Sequence, residues 1–111
     1  MGMKGTIIAM MTDGKTTATE VTGKPDIEIL QWIVGGYIEV VPYLEQCIYN
    51  GKVRKCVAFC NEEGKVHDLP VNERATRLLH AQQRRAGMQP HDVLVGDIAI
   101  VFGDAEFMRS L

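Results

Sequence analysis

The stretch CVAFCNEEGKVHDLPVN, from Cys56 to Asn72, brings two thiols, three carboxylates and one histidine close together in sequence. Such groups coordinate zinc in metal sites and act as nucleophile and base in catalytic sites, so the stretch could form either kind of site. On a strand, Cys56 and Cys60 would point to one face, but four residues at ~3.3 Å each would separate them by ~13 Å. That distance is too long for a shared tetrahedral ion or a disulfide, and the spacing therefore argues against both.

A third cysteine, Cys47, lies across the Asn50-Gly51 turn, where a two-residue hairpin would place it opposite Arg54. An odd number of cysteines without a pairing geometry favours free, partly buried thiols in a reducing compartment. A nucleophilic cysteine assisted by His67 is the alternative, because the two side chains could meet in space. The histidines share no metal-ligand spacing, and we predict no catalytic residue, no metal site and no cofactor.

The segment NERATRLLHAQQRRAG carries the one local concentration of positive charge in the chain. At about 100° per residue, four arginines fall within one sector of a helix: Arg74, Arg77, Arg84 and Arg85. The neighbouring sector holds the residues predicted to pack on a sheet: Ala75, Leu78, Leu79, Gln82 and Ala86. Forked guanidinium donors suit phosphate, so this arginine stripe is predicted to bind an anionic ligand. The alternative is a solvated helix face, in which Glu73 and Arg77 form an i,i+4 ion pair.

Three more side chains are candidates for the same ligand site. Tyr37 or Tyr43 could stack a nucleotide base beside the arginines. Asn72 begins the helix, where its side chain caps the backbone or, alternatively, the free amides bind an anion. The VGGY segment is not a phosphate-binding loop, because its glycines close a helix where such a loop would open one.

Turn signals and hydrophobic periodicity predict the elements that position these residues. KGTIIAMM and TTATEV read as an opening hairpin, and a helix starting at Pro25 and Asp26 ends at Gly35 and Gly36. LEQCIY and KVRKCVAF read as a second hairpin joined by Asn-Gly, and the second helix runs from the Asn72 cap to about Ala86. DVLVGDIAIVF predicts a central strand, and DAEFMRSL one terminal helical turn.

These elements indicate an α+β fold in a single compact domain spanning residues 1–111, with a largely antiparallel sheet covered by two helices and a mixed sheet as the alternative. Met1 and Gly2 are interpreted as an expression remnant before a native start at Met3, although they also fit a short myristoylation pattern. The chain has no apolar run near the ~20 residues of a membrane span and no signal-peptide pattern, which predicts no membrane partner and a cytoplasmic protein.

Composition limits the partners of the protein. The formal net charge is -2, from 12 lysines and arginines against 14 aspartates and glutamates. No global positive field attracts nucleic acid, and with few aromatic residues a single-stranded nucleic-acid partner is not expected. The small domain leaves little room for a deep cleft, so we expect a homo-oligomer in which a second subunit completes the ligand pocket.

Three segments, LQWIVGGYIEVV, CNEEGKVHDLPVNERAT and DVLVGDIAIVFGD, resemble a family catalogued as domain of unknown function 3846, common in bacteriophages and mobile elements. The resemblance covers Lys4 to Asp104 in residue type and order. It implies a phage or prophage origin in a bacterial host and brings no activity that could be assigned to particular residues. The hairpin YLEQCIYNGKVRK is longer than the family pattern leads us to expect.

The sequence therefore predicts a non-enzymatic binding protein of phage type that acts in counter-defence by sequestering a small anionic nucleotide signal. Its ligand-binding residues would be the four arginines with Asn72 and one of the two tyrosines. The alternative function is a protein-interaction module that inhibits a host protein through a sheet edge or through the Asn50-Gly51 hairpin. A phosphodiesterase is not favoured, because it would need clustered histidines and carboxylates beyond His67 and Asp68.

Overall fold

The structure is a computed structural model that describes residues 3–111, so the interpretation of Met1 and Gly2 lies outside the described residues. The elements are β1 (Lys4–Met10), β2 (Thr16–Thr22), α1 (Ile27–Val34), β3 (Ile38–Val40), β4 (Gln46–Tyr49), β5 (Lys52–Lys55), β6 (Val57–Asn61), α2 (Glu73–Arg85), β7 (Ile98–Gly103) and α3 (Ala105–Arg109). Five strands form one sheet in the order β2-β1-β7-β6-β3, and β4 and β5 form a separate hairpin. Neighbouring strands of the large sheet are all antiparallel, which confirms the predicted α+β class and removes the mixed alternative.

The large sheet has a core on each face, because β1, β6 and β7 carry apolar side chains on both sides. On one face, Ile8, Ile98 and Ile100 pack with Leu79 of α2 and Cys47 of β4. On the other face lie Ile7, Phe59 and Val101, with Leu30 and Val34 of α1 and Phe107 of α3. The predicted central strand DVLVGDIAIVF is confirmed only from Ile98 onward: β7 begins there and its residues Ile98–Phe102 are all buried, whereas residues 92–97 are not part of a strand apart from an isolated bridge at Val95.

The helix ends lie where their sequence signals predicted. Asp26 caps α1 by accepting a hydrogen bond from the Glu28 amide, and Gly35 ends it with a φ of 80°. Asn72 caps α2, and the chain leaves that helix through Gly87 at a φ of 81°. These left-handed conformations cost glycine little, which is why it ends both helices. The terminal turn forms α3 with Asp104 as its cap, so helices cover the sheet in three places and not in the two that were predicted.

The predicted continuous strand KVRKCVAF is wrong. It is two strands that belong to different sheets, β5 pairing with β4, and β6 with β3 and β7. The chain changes sheets at Cys56, whose amide still donates to the Glu45 carbonyl at 2.8 Å. Cys56 is buried, and its side chain lies in the same core cluster as Cys47.

Candidate ligand-binding groove

A groove lies above the sheet where α2 leaves β1 and β2 uncovered. Its floor consists of apolar side chains from three neighbouring strands, among them Ile8, Ala18 and Ile100. These three lie side by side across the strands, because Ile8 is the register partner of both Ala18 and Ile100. The outer strand β2 is exposed along its length except at the half-covered Val21. The floor is therefore an apolar surface that opens at the edge of the sheet.

Two elements form the walls of this groove, which has a volume of about 410 Å³. From α2 come Arg74, Arg77 and Leu78, and from β4 come Cys47, Ile48 and Tyr49. The arginines lie one turn apart on the helix, so their guanidinium groups reach the same side of the groove. The groove thus combines an apolar floor with two cations on one wall and a phenol on the other.

The two arginines of the groove differ in their contacts. Arg74 Nη1 donates to the Gly14 carbonyl at 3.1 Å, which holds this side chain against the turn between β1 and β2. Within residues 3–111, Arg77 makes no hydrogen bond or ion pair, and the predicted pair with Glu73 does not form there. Arg77 is exposed, so its five donors are open to an incoming anion.

The hairpin wall is fixed to α2 by Gln82, which the sequence had placed among the packing residues. Its Oε1 accepts from the amides of Glu45 at 2.8 Å and Gln46 at 3.0 Å, and its Nε2 donates to the Gln46 carbonyl at 2.8 Å. Arg85 Nη1 adds a bond to Gln46 Oε1 at 3.1 Å. A glutamine inside an otherwise apolar helix stripe was the available signal that this position binds backbone.

The structure does not bring the seven predicted ligand residues to one place. Arg74 and Arg77 line the groove, whereas Arg85 and Tyr43 line a separate hollow at the other end of α2. Tyr37 lies beside Gly35 and His67, in a hollow near the end of α1. The helix sector was predicted correctly, but 13 residues of helix extend over about 20 Å, and the two ends of the stripe line separate hollows.

Arg84 is exposed and is not part of either wall of the groove. This position therefore supplies a matched comparison for the groove arginines, because it has the same side chain on the same helix.

Asn72 is fully buried, and all its polar atoms are used within the fold. Its Oδ1 accepts from the Ala75 amide at 3.1 Å, while Nδ2 donates to the carbonyls of Met10 at 2.9 Å and Gly96 at 3.0 Å. Burial and these three bonds leave no atom for a ligand, which corrects the prediction that Asn72 contacts one. The capping role predicted for Asn72 is confirmed.

Tyr49 is the aromatic residue that lines the groove, and the sequence prediction missed it. Its ring centroid lies 5.2 Å from that of Phe102, in a tilted arrangement that supports the phenol from below. The alternation along β4 could have identified it, because Cys47 and Tyr49 point inward while Ile48 is exposed.

The three thiols lie in two environments. The interaction between the two neighbouring thiols, together with burial, raises the pKa of Cys56, whereas the same interaction lowers the pKa of Cys47 despite burial. Burial, helped by the carboxylates of Glu39 and Asp92, raises the pKa of the Cys60 thiol to about 11. A nucleophile next to His67 would need a lowered pKa, so the Cys60 environment does not favour the cysteine-histidine alternative.

We expect Cys60 to react with iodoacetamide about two orders of magnitude more slowly at pH 8 than an ordinary thiol, because so little of it is thiolate at that pH. Its rate should rise about tenfold per pH unit between pH 7 and 9. Mass spectrometry of the Cys60 peptide measures the rate, and the denatured chain is the control. Equal rates in the native and denatured chain would contradict this prediction.

Two further structural findings concern metals and membranes. Among residues 3–111, no three histidine, cysteine, aspartate or glutamate side chains come together in a way that could hold a metal ion. In the same part of the chain, no helix has the length and apolar character needed to cross a bilayer.

The architecture and the groove define a small α+β domain, with one antiparallel sheet between helices and a surface groove that is cationic on one wall. The chain belongs to the family described as Domain of unknown function (DUF3846), whose family model matches residues 3–111. This match confirms the resemblance that the three sequence segments indicated. Comparison with curated proteins and with solved structures found no match.

Proposed function

We propose that this protein binds a small anionic nucleotide in the groove between α2 and the β4–β5 hairpin. The observation that carries the proposal is the placement of Arg74 and Arg77 opposite Tyr49, above an apolar floor. Guanidinium groups hold phosphate through paired hydrogen bonds, and a phenol ring offers a face for a base. A nucleotide has both parts within one molecule.

The size and shape of the groove support a ligand of this class. A volume of about 410 Å³ lies within the range of small-molecule sites, which is roughly 300–1,000 Å³. Arg74, which is held in place by its hydrogen bond to the Gly14 carbonyl, would donate to one side of a phosphate group. Arg77 would donate to the same phosphate with the whole of its exposed guanidinium group. Thr16 and Thr17 lie at the rim and offer hydroxyl groups to a sugar.

The biological role that we propose is non-enzymatic sequestration. A phage-type protein in the cytoplasm of a bacterial host would lower the free concentration of a nucleotide defence signal by holding it intact. The exposed edge of β2 borders the groove, and pairing with a second copy there would close it and protect the edge. A homo-oligomer is therefore part of the proposal.

A specific observation favours one alternative function, the inhibition of a host protein through the hairpin. Ile48 and Val53 are cross-strand neighbours on its outer face, and their exposed fractions are 74% and 63%. Together these two side chains form a small exposed apolar patch that a partner protein could cover. In this alternative the groove would be a structural gap, and nucleotides would not bind.

The direct test is thermal unfolding with a panel of 5′-mononucleotides, cyclic dinucleotides, cyclic trinucleotides and cyclic ADP-ribose isomers. A ligand at 100 times its dissociation constant adds about 2.7 kcal/mol to the free energy of unfolding, or about 10 °C in Tm for a domain of this size. We expect Arg77→Ala to abolish the shift, because it removes the open guanidinium group. The bound compound should be recovered intact after denaturation, whereas an enzyme would convert it.

Arg84→Ala is the matched control for this experiment. It removes the same exposed side chain from the same helix but outside the groove, so the shift should remain as in the wild type. No shift with any compound would reject nucleotide binding and favour a protein partner. An equal loss in both variants would show that general charge, and not the groove, holds the ligand.

A further inference from the structure

We infer that the groove continues past Tyr49 into a second cationic subsite and that its ligand carries two separate phosphate groups. This inference rests on the proposed function, since it specifies the ligand of the same site. The second subsite is the hollow of about 700 Å³ between the inner face of the β4–β5 hairpin and the first half of β1. Its cations are Lys4, Lys52 and Arg54.

The two hollows share one floor. Thr6 lies two residues from Ile8 on β1, so both side chains face the same side of the sheet. Thr6 is the register partner of Glu20 and Phe102, and Ile8 is that of Ala18 and Ile100. The two sets are therefore neighbouring cross-strand rows on that face of the sheet. Tyr49 lines both hollows. A ligand whose ring contacts Tyr49 could therefore extend along the strands in both directions.

Strand alternation turns the hairpin cations inward. Lys52 is the register partner of Tyr49, and Arg54 is that of Cys47, so these four side chains share one face of the hairpin. That face lines the two hollows, whereas Val53 on the outer face lines neither of them and the exposed Ile48 borders only the first.

Arg54 is held in place by the floor itself. Its guanidinium carbon lies 4.7 Å from the ring centroid of Phe102, which is buried and also contacts Tyr49. Stacking on a ring face positions the guanidinium plane and leaves the edge donors of the guanidinium group available. The second subsite thus contains an oriented phosphate donor.

The carboxylates of this hollow cancel only part of its charge, because Glu20 and Asp104 are outnumbered by Lys4, Lys52 and Arg54. Asp104 keeps its negative charge, but both of its oxygens are hydrogen-bonded to the backbone: Oδ1 accepts from the Phe107 amide at 2.8 Å and Oδ2 from the Lys4 amide at 3.0 Å. Glu20 lies on β2 at the outer side of the floor. An anion would therefore be attracted to the hairpin side, next to Lys52 and Arg54, and away from Glu20.

The length of the groove decides the class of ligand. From Met10 to Lys4 the floor follows all seven residues of β1, which are six steps along the strand or about 20 Å. A mononucleotide has one phosphate position and can contact only one group of cations. A dinucleotide with a phosphate on each side of a base could reach Arg74 and Arg77 at one end and Lys52 and Arg54 at the other, with the base at Tyr49.

Calorimetric titration of the full chain tests this directly, with the four 5′-mononucleotides, the four matching 5′-phosphorylated homodinucleotides and cyclic di-AMP and cyclic di-GMP. We expect at least one two-phosphate compound to bind about tenfold or more tightly than its mononucleotide, as an added charge-assisted contact would provide. Lys52→Glu and Arg54→Gln should remove this advantage, so that the two-phosphate compound binds no more tightly than its mononucleotide. Arg77→Ala should weaken both kinds of compound.

Lys55→Glu is the matched control, because it makes the same charge change on the outer face of the same hairpin. It should leave all affinities as in the wild type. If the two-phosphate compounds bind no better than mononucleotides, or if Lys52→Glu and Arg54→Gln leave them unaffected, the second subsite is rejected while the proposed function stands. If neither kind of compound binds, the proposed function and the second subsite fall together.

Discussion

Phe107→Ala is expected to lower the free energy of unfolding by about 3–5 kcal/mol, the usual cost of truncating a buried aromatic side chain. Phe107 is fully buried and covers the α1 face of the sheet. Its ring packs directly on the backbone of Gly5 and Gly103, which are cross-strand partners and have no side chains to keep the ring away from the sheet. A Cβ built on Gly5 would lie 2.4 Å from the ring, and one on Gly103 would lie 2.5 Å from it.

Urea unfolding of Phe107→Ala against Glu106→Ala measures this contribution. Glu106 is exposed on the same five-residue helix, so its truncation should change stability by no more than about 0.5 kcal/mol. A domain of this kind has a total stability of roughly 5–15 kcal/mol, so the Phe107 variant should have a clearly lower urea midpoint. A loss below about 1 kcal/mol in Phe107→Ala would mean that α3 does not cover the sheet in solution.

Asn72→Ala is expected to cost about 2–4 kcal/mol, because it removes a helix cap and leaves two buried carbonyls without their donor. The side chain joins three segments: the start of α2, the end of β1 at Met10 and the turn at Gly96. Its loss should therefore loosen the edge of the groove near Met10 as well as the helix. Chemical denaturation followed by circular dichroism would measure the change.

Asn72→Ser separates the two contributions of this side chain. Serine retains the cap but cannot donate to both carbonyls, so it should recover about 1 kcal/mol of the loss. If Asn72→Ala left stability unchanged but abolished nucleotide binding, the residue would be a ligand contact after all. We expect the folded fraction of Asn72→Ala to bind the nucleotide as the wild type does.

Much of the fold could be predicted because its signals are local. Asn50 and Gly51 both have positive φ, as the hairpin turn requires, and the sequence pair indicates that turn without any tertiary information. The caps of α1 and α2 and the glycines that end them follow from the same kind of short-range hydrogen bonding and backbone sterics. The register that pairs Cys47 with Arg54 followed from the turn and is confirmed.

The candidate site could be predicted only in part. Helical periodicity identified the arginine sector, but it could not show that Arg74 and Arg77 share a groove while Arg85 bonds to Gln46. Which part of the stripe matters depends on where the β4–β5 hairpin packs against α2. That packing depends on Gln82 and backbone amides 36 and 37 residues away in sequence, a contact that no local pattern encodes.

By itself, the sequence of this protein determined its α+β class, its turns, the limits of its two longer helices and its family. Each of these depends on backbone preferences and periodicity within a few residues. Only the tertiary structure decided that the chain changes sheets at Cys56, that Asn72 is buried inside a network, and that Tyr49 lies beside the arginines. Those features arise from burial and from contacts between distant segments, and the free energy of such contacts exists only once the segments have packed together.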